Sequence, residues 1–524
     1  MTATRSPIRV ADFAIDGLET YSLGSASPCQ YRFLDCQRLL KENVIYVVAF
    51  LELPTQPYAV VSYPWRPATP ATNISASFKV KAIEKEPRIS VDVLKTIFIA
   101  ASFFGCHLLW IDKLCARQDS RAPGDGKLDN EWQVQNMHSI YRGCSTCLAL
   151  PGGLSRLATL DERTNWMERA WTLQEALAPP AVNFIIDWTK GDAILQHNAS
   201  IAVKEVLPGK AAVIELKALL EGSLKSEVRL ITNESKDDSE KYLWQTLRLL
   251  GNANEVQDSY PIMALLGAMD HTNDTGRLNA IWRCTTMRSA KYAADMIYSI
   301  MGLMDITLTN IESAKDPQEV VVEFTRALTQ KGHQADWLGV APNLGPWLRM
   351  SAMPLLPMSE DDGKGKTTAY IEVGYGKLAK VKDLLEKNPR DMMWWWLKNA
   401  PKGVVDQSGY LTFTSLATSA AESKDKTVYS EYRLQRDHPG SVIHCSSNRA
   451  WDILPELRSP HFVVVIGTKE QYLSGIFSSM VDPNTTLLML VEEGREGTFR
   501  NVGYAWADEN ASKGWIERTF MIGG

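Results

Sequence analysis

Between residues 58 and 187, short apolar runs alternate with longer segments whose apolar residues recur at helical spacing, and no other feature restricts the fold as strongly. "YAVVSY" (58 to 63) reads as a strand closed by Pro64. "SVDVLKTIFIAASFF" (90 to 104) opens on a capping Ser90 and sets Val91, Leu94, Phe98 and Ala101 on one face, as a buried helix does. "HLLWI" (107 to 111) is the next strand, and "NEWQVQNMHSIYRG" (130 to 143) carries Val134, Met137 and Tyr141 on one stripe. "STCLAL" and "VNFIID" are two further strands. The helix expected between them, at 166 to 178, is opened by Asn165 with Glu168 three residues on and stopped by Pro179 and Pro180. Such alternation implies parallel β-α-β units, whose ligands bind beyond the carboxyl ends of the strands.

The residues to watch therefore follow each strand. After the first come Ser62, Tyr63, Pro64 and Trp65; after the second come Asp112, Lys113, Leu114, Cys115 and then Arg117, Gln118 and Asp119. The stretch "DSRAPGDGKLDN" (119 to 130) reads as a loop long enough to act as a lid.

Beyond residue 200 the texture changes twice. Segments such as "KEVLPGKAAVIELKALLEG", "SEKYLWQTLRLLGNA", "SYPIMALLGAMD", "KYAADMIYSIMGLMD" and "PQEVVVEFTRALTQKG" read as helices, whereas "GYLTFTSL", "HFVVVIGT", "TTLLMLVEE", "FRNVGYAWAD" and "WIERTFMIGG" read as strands. The expected organisation is an α/β domain over 1–205, a helical extension over 206–350 and a β-rich domain over 351–524. Trp394, Trp395 and Trp396 are expected on a helix at a domain interface.

Several function classes lose ground on composition. The net charge of −5, with Lys and Arg dispersed, gives no nucleic-acid footprint, and no apolar run reaches the roughly 18 residues of a membrane span. A cytoplasmic protein is expected. Eight cysteines in 524 residues sit in apolar surroundings, so Cys144 and Cys147 read as buried thiols, and the scattered histidines offer no metal-ligand spacing. No metal site is expected, and no P-loop, G-x-S-x-G or dinucleotide fingerprint occurs.

"YAVVSYPW", "LLWIDKLCARQD", "QVQNMHSIYRGCSTCLAL" and "RAWTLQEAL" resemble, in order and spacing, the hallmark blocks of the fungal heterokaryon-incompatibility (HET) domain. "WRCTTMRSAKYAADMIYSIMGLMDI" (282 to 306) is similar to a segment that follows the domain in many such proteins. Two departures stand out: Arg66 where the family commonly has Gly, and Leu114-Cys115-Ala116-Arg117-Gln118 where it commonly reads LCINQ. The resemblance implies a parallel-sheet fold like that of TIR and flavodoxin-like domains, and a role in non-self recognition and programmed cell death. Self-association or another incompatibility protein is the implied partner.

In TIR enzymes that cleave NAD, the catalytic Glu lies in a W-x-x-x-E pattern, which Trp171 to Glu175 fits. The resemblance thus makes Glu175 the candidate catalytic carboxylate, with NAD as a possible substrate and no cofactor required. Positions i and i+4 share a helical face, so the Trp171 indole would floor a pocket beside it. Asp112 and Gln118 are candidates for orienting ribose hydroxyls or the amide, and Tyr63 or Trp65 for stacking on a ring. Other readings stay open: Glu175 as an ordinary charge at a helix rim, Asp112 as the cap of a turn, Tyr63 and Trp65 as sheet-edge packing. The alternative function is a HET-like scaffold recruited to small-molecule, secondary-metabolite chemistry or ligand binding without NAD turnover.

Overall fold

The structure is a computed structural model that describes residues 7–72, 74–119, 124–196, 200–225, 227–232, 243–251, 255–270, 274–309, 311–312, 315–340, 352–361, 367–374, 377–383, 395–424, 434–435, 442–444, 449–454, 459–471, 485–508 and 510–523. The chain divides into two compact units. The first is Met1–Ile262 with Thr309–Glu312 and Asp361–Thr367; the second is Met263–Leu308, Ser313–Glu360 and Thr368–Gly524.

The first unit is built on a twelve-stranded mixed sheet. At its centre are four parallel strands, β1 (Tyr58–Ser62), β2 (Leu108–Trp110), β3 (Thr146–Ala149) and β4 (Val182–Asp187), side by side in the order β2-β1-β3-β4. Each junction carries a helix: α1 (Val91–Phe103), α2 (Asp125–Gly143) and α3 (Trp171–Leu177). All five residues of β1 are buried, which fits its unbroken apolar run. The Ser90 side chain accepts from the Val93 amide to start α1, and Gly105, at φ +72°, lets the chain turn away at its end.

The sheet is not purely parallel, which corrects the expected fold. Three antiparallel strands, Tyr31–Asp35, Val44–Phe50 and Ile8–Ala14, extend it beyond β2, and five antiparallel strands between Ala193 and Thr246, Ala211–Glu215 being the one next to β4, extend it beyond β4. The segment expected to be helical from 204 contains the hairpin Ser200–Leu207 and Ala211–Glu215 before a helix at Leu216–Ser223. Pro208 and Gly209, the latter at φ +65°, form its turn; so short a connection leaves no room for a crossover helix and pairs the strands antiparallel. Within "SEKYLWQTLRLLGNA", Leu243–Thr246 is likewise a strand, and residues 239–242 lie outside the described residues.

The cap expected at Asn165 is also corrected. The chain begins there with a short 3₁₀ turn, Trp166–Glu168, and the Asn165 amide donates instead to the Arg66 carbonyl at 3.0 Å. Within the expected lid, helix α2 already starts at Asp125, and residues 120–123 lie outside the described residues.

Two buried tyrosines pin α2 to β1. Tyr58 donates to the Ile140 carbonyl at 2.8 Å, and Tyr141 donates to the Val61 carbonyl at 2.9 Å. The contact leaves no room at the helix end: a Cβ on Gly143 would stand 2.7 Å from the Tyr58 hydroxyl oxygen. Gly143→Ala is therefore expected to cost about 1–3 kcal/mol, since relief requires breaking the Tyr58 bond or shifting the helix. An unchanged urea midpoint for this variant would contradict the packing described.

The second unit combines helices, among them Asp274–Thr286, Asp295–Met301 and Pro317–Gln330, with a ten-stranded sheet. Leu411–Glu422, His461–Gln471, Thr485–Glu493, Phe499–Asp508 and Ile516–Ile522 fall where strands were expected. The first of these pairs with both the second and the last, so the five strands close into a ring. Closure removes exposed edges. Phe462, Phe499 and Phe520 meet edge to face in its core, with Phe413 against Phe520. Trp395–Lys398 is a strand paired with His461–Gln471, not the expected interface helix, and Trp394 lies outside the described residues. Among the described residues, no helix is long and apolar enough to cross a membrane.

Candidate functional site

The parallel strands reverse their order between β1 and β3, and the carboxyl end of β1 lies at this point. Ser62, its last residue, is wholly buried. Its hydroxyl donates to Glu175 Oε2 at 2.5 Å and accepts from the Trp166 indole nitrogen at 2.7 Å. Glu175, on α3, is half-buried. Burial pushes its carboxyl up to about 7, helped by the negative charge of Asp112 and opposed by the Ser62 and Tyr141 hydroxyls and the charge of Arg169. A carboxyl so placed exchanges its proton near neutrality.

A second cluster centres on Asp112, just beyond β2. Its Oδ1 accepts from the Tyr63 hydroxyl and from the Lys113 amide at 2.6 Å, and its Oδ2 accepts from the Trp65 indole at 2.6 Å. Both oxygens are engaged in tying the loop after β1 to the loop after β2. Burial and the neighbouring Asp112 charge hold the Tyr63 phenol far above its ordinary range, so it stays a donor. Gln118 closes the second loop by donating to the Asp112 and Ala116 carbonyls at 3.0 and 3.2 Å. Arg169, just before α3, donates to the Tyr63 carbonyl at 3.1 Å and so ties the α3 segment to the same loop.

The structure thus brings together five of the six residues singled out from sequence: Glu175 joins Ser62, while Tyr63, Trp65, Asp112 and Gln118 form the adjoining network. Trp171 is at the first turn of α3, and among the described residues it makes no hydrogen bond or ring stack with them. The indole that reaches the Glu175 network is Trp166, five residues before Trp171. Trp166, Tyr141 and Arg169 were not singled out as site residues. The available signal for Trp166 was its indole N–H, which needs an acceptor wherever it is buried.

Arg66, at the position where a glycine was the common pattern, pairs its guanidinium with Glu86 through two bonds of 3.0 and 2.9 Å. Its carbonyl receives the Asn165 amide, so this departure is built into the loop. Cys144 and Cys147 are both buried, and burial holds both thiols well above their ordinary range.

Beside the Asp112 network opens a cleft of about 370 Å³, bounded by Tyr21 to Gly24, Val80 to Ala82, Lys113, Ala116, Gln118 and Asp119.

Residues 58–162 match the family model for heterokaryon incompatibility protein (HET). This segment is a HET domain. No curated protein and no solved structure matches the chain. The HET domain implies a function related to heterokaryon incompatibility, and it contains β1, α1, β2, α2 and β3 with Ser62, Tyr63, Trp65, Asp112, Gln118 and Tyr141. Trp166, Arg169, Trp171 and Glu175 follow the matched residues, so α3 completes a cluster that the HET domain begins.

Proposed function

We propose that the chain is an effector of fungal non-self recognition and programmed cell death, and that its HET domain acts with Glu175 in a TIR-like cleavage of NAD. One observation carries the reading: the Glu175 carboxyl, poised near pH 7, is held by Ser62 at the carboxyl end of β1. The parallel order β2-β1-β3-β4 supports it, because flavodoxin-like sheets share that order and bind ligands where it reverses.

In the proposed reaction the bond between ribose C1′ and the nicotinamide nitrogen breaks, and the ring nitrogen takes the electron pair. The ionised Glu175 stabilises the oxocarbenium-like ribose, as a glycosidase carboxylate does, until water adds to C1′ and releases a proton. Ser62 orients the carboxylate. Asp112 acts as a positioning residue, since its oxygens already hold Tyr63, Trp65 and the Lys113 amide. Trp65, half-buried, is the ring assigned to stacking on the substrate in this reading. Self-association, or a second incompatibility protein, supplies the trigger in this reading.

The experiment is to incubate the full-length chain with NAD and follow nicotinamide release. Release is expected. Its absence from folded protein would remove the NAD step and favour a HET scaffold that binds a small molecule without turning NAD over.

A further inference from the structure

The Lys113 amine is not used by the reading above, and its surroundings are unusual. It is 2 % exposed, yet the residue lines the cleft. Its nitrogen makes one long hydrogen bond, 3.4 Å to the Trp65 carbonyl, and lies 4.9 and 5.4 Å from the centres of the Trp65 and Tyr63 rings. Among the described residues no carboxylate forms an ion pair with it. The nearest acids are already engaged, Asp112 by Tyr63 and Trp65, and Glu86 by Arg66. A buried lysine with no carboxylate partner at a cleft is the arrangement that activates an amine as a nucleophile.

We propose that the cleft takes a small oxo acid, whose aldehyde or ketone carbon the Lys113 amine captures as a Schiff base. The ammonium first gives its proton to solvent. The nitrogen lone pair then forms the C–N bond, and the resulting carbinolamine loses its oxygen as water to leave the imine. Carbon keeps its oxidation level, so no electron donor or acceptor is needed. Burial favours the first step by lowering the Lys113 amine to about 8, against the pull of Asp112 and Glu86 and with help from Arg169 and Arg66.

The acid group of the ligand follows from the charges around the cleft. Lys81 is an exposed cation on its lining, and Asp119, the acid there, is neutralised by two bonds from the Arg117 guanidinium. The volume, about 370 Å³, lies near the lower end for small-molecule sites and suits a compact ligand.

Glyoxylate with cyanoborohydride is the probe, because reduction freezes each imine as a stable amine that peptide mass spectrometry can locate. At pH 7.4 Lys113 of the full-length protein is expected to be labelled about tenfold faster, or more, than the exposed Lys127 and Lys204. The second arm closes the cleft. A Cβ on Gly24 would meet only Ser22 Oγ, at 3.5 Å, so the backbone there accepts a side chain, and Gly24→Phe sets a ring on the lining of the cleft. It should cut Lys113 labelling about fivefold while Lys127 and Lys204 react as before. Labelling of Lys113 no faster than of the surface lysines, or labelling that Gly24→Phe leaves undiminished, overturns the proposal.

Discussion

Glu175→Gln should lower nicotinamide release from NAD by about 100-fold or more, while full-length protein keeps its fold. The substitution preserves shape and removes the negative charge that the proposed reaction requires. An amide still offers an oxygen to the Ser62 hydroxyl, so the wild-type bond has a counterpart. Since the wild-type carboxyl titrates at about 7, release should also climb as pH rises through that value. Equal rates in wild type and variant would take Glu175 out of the mechanism.

The same carboxyl has a consequence for stability. Its folded value is about 7 against an ordinary 4.5, so between these two the unfolded chain has given up a proton that the folded chain keeps. Its contribution therefore weakens as pH rises across that window, by roughly 2 kcal/mol once partial solvent access is allowed for. Urea midpoints at pH 5 and pH 8 should show Glu175→Gln gaining on wild type at the higher pH. An unchanged difference would mean that the carboxyl is not buried as described.

Asp112→Ala should destabilise the first unit by about 2–3 kcal/mol. The mutation strands three donors at once: the Tyr63 hydroxyl, the Trp65 indole and the Lys113 amide. Tyr63 is 4 % exposed, and burying its hydroxyl without an acceptor accounts for much of the loss, whereas the half-buried Trp65 can recover water. Asp112→Asn should be milder, because its oxygen can still serve Tyr63 while its NH₂ faces the Trp65 donor. Urea unfolding of the three proteins checks the ranking. A neutral Asp112→Ala would show that the network does not hold the two loops together.

The parallel centre of the first unit was legible because its strands are short apolar runs separated by helices with a clear apolar face. "YAVVSY" and "HLLWI" became β1 and β2, and Ser90 caps α1 as its position suggests. Legibility failed where a local signal was overruled. The run from Lys204 was read for its apolar spacing, although Pro208 and Gly209 in the middle of it form a hairpin turn. Asn165 has the right type for a cap, but its amide goes to a carbonyl far away in sequence, which no local pattern records. Trp171 was singled out by spacing from Glu175, whereas the contact is made by Trp166 through Ser62, at the end of a strand 104 positions earlier. Helical spacing identified which residues share a face; only the packing of the sheet decided which side chain reached the carboxylate.

The most direct test is to express the full-length chain and its Glu175→Gln variant at equal levels in a fungal host and to record growth and viability. Arrest or death with the wild type, and growth with the variant, is the result this account predicts. Equal growth of both strains with the proteins present and folded, or equal death of both, would contradict an effector role that acts through Glu175.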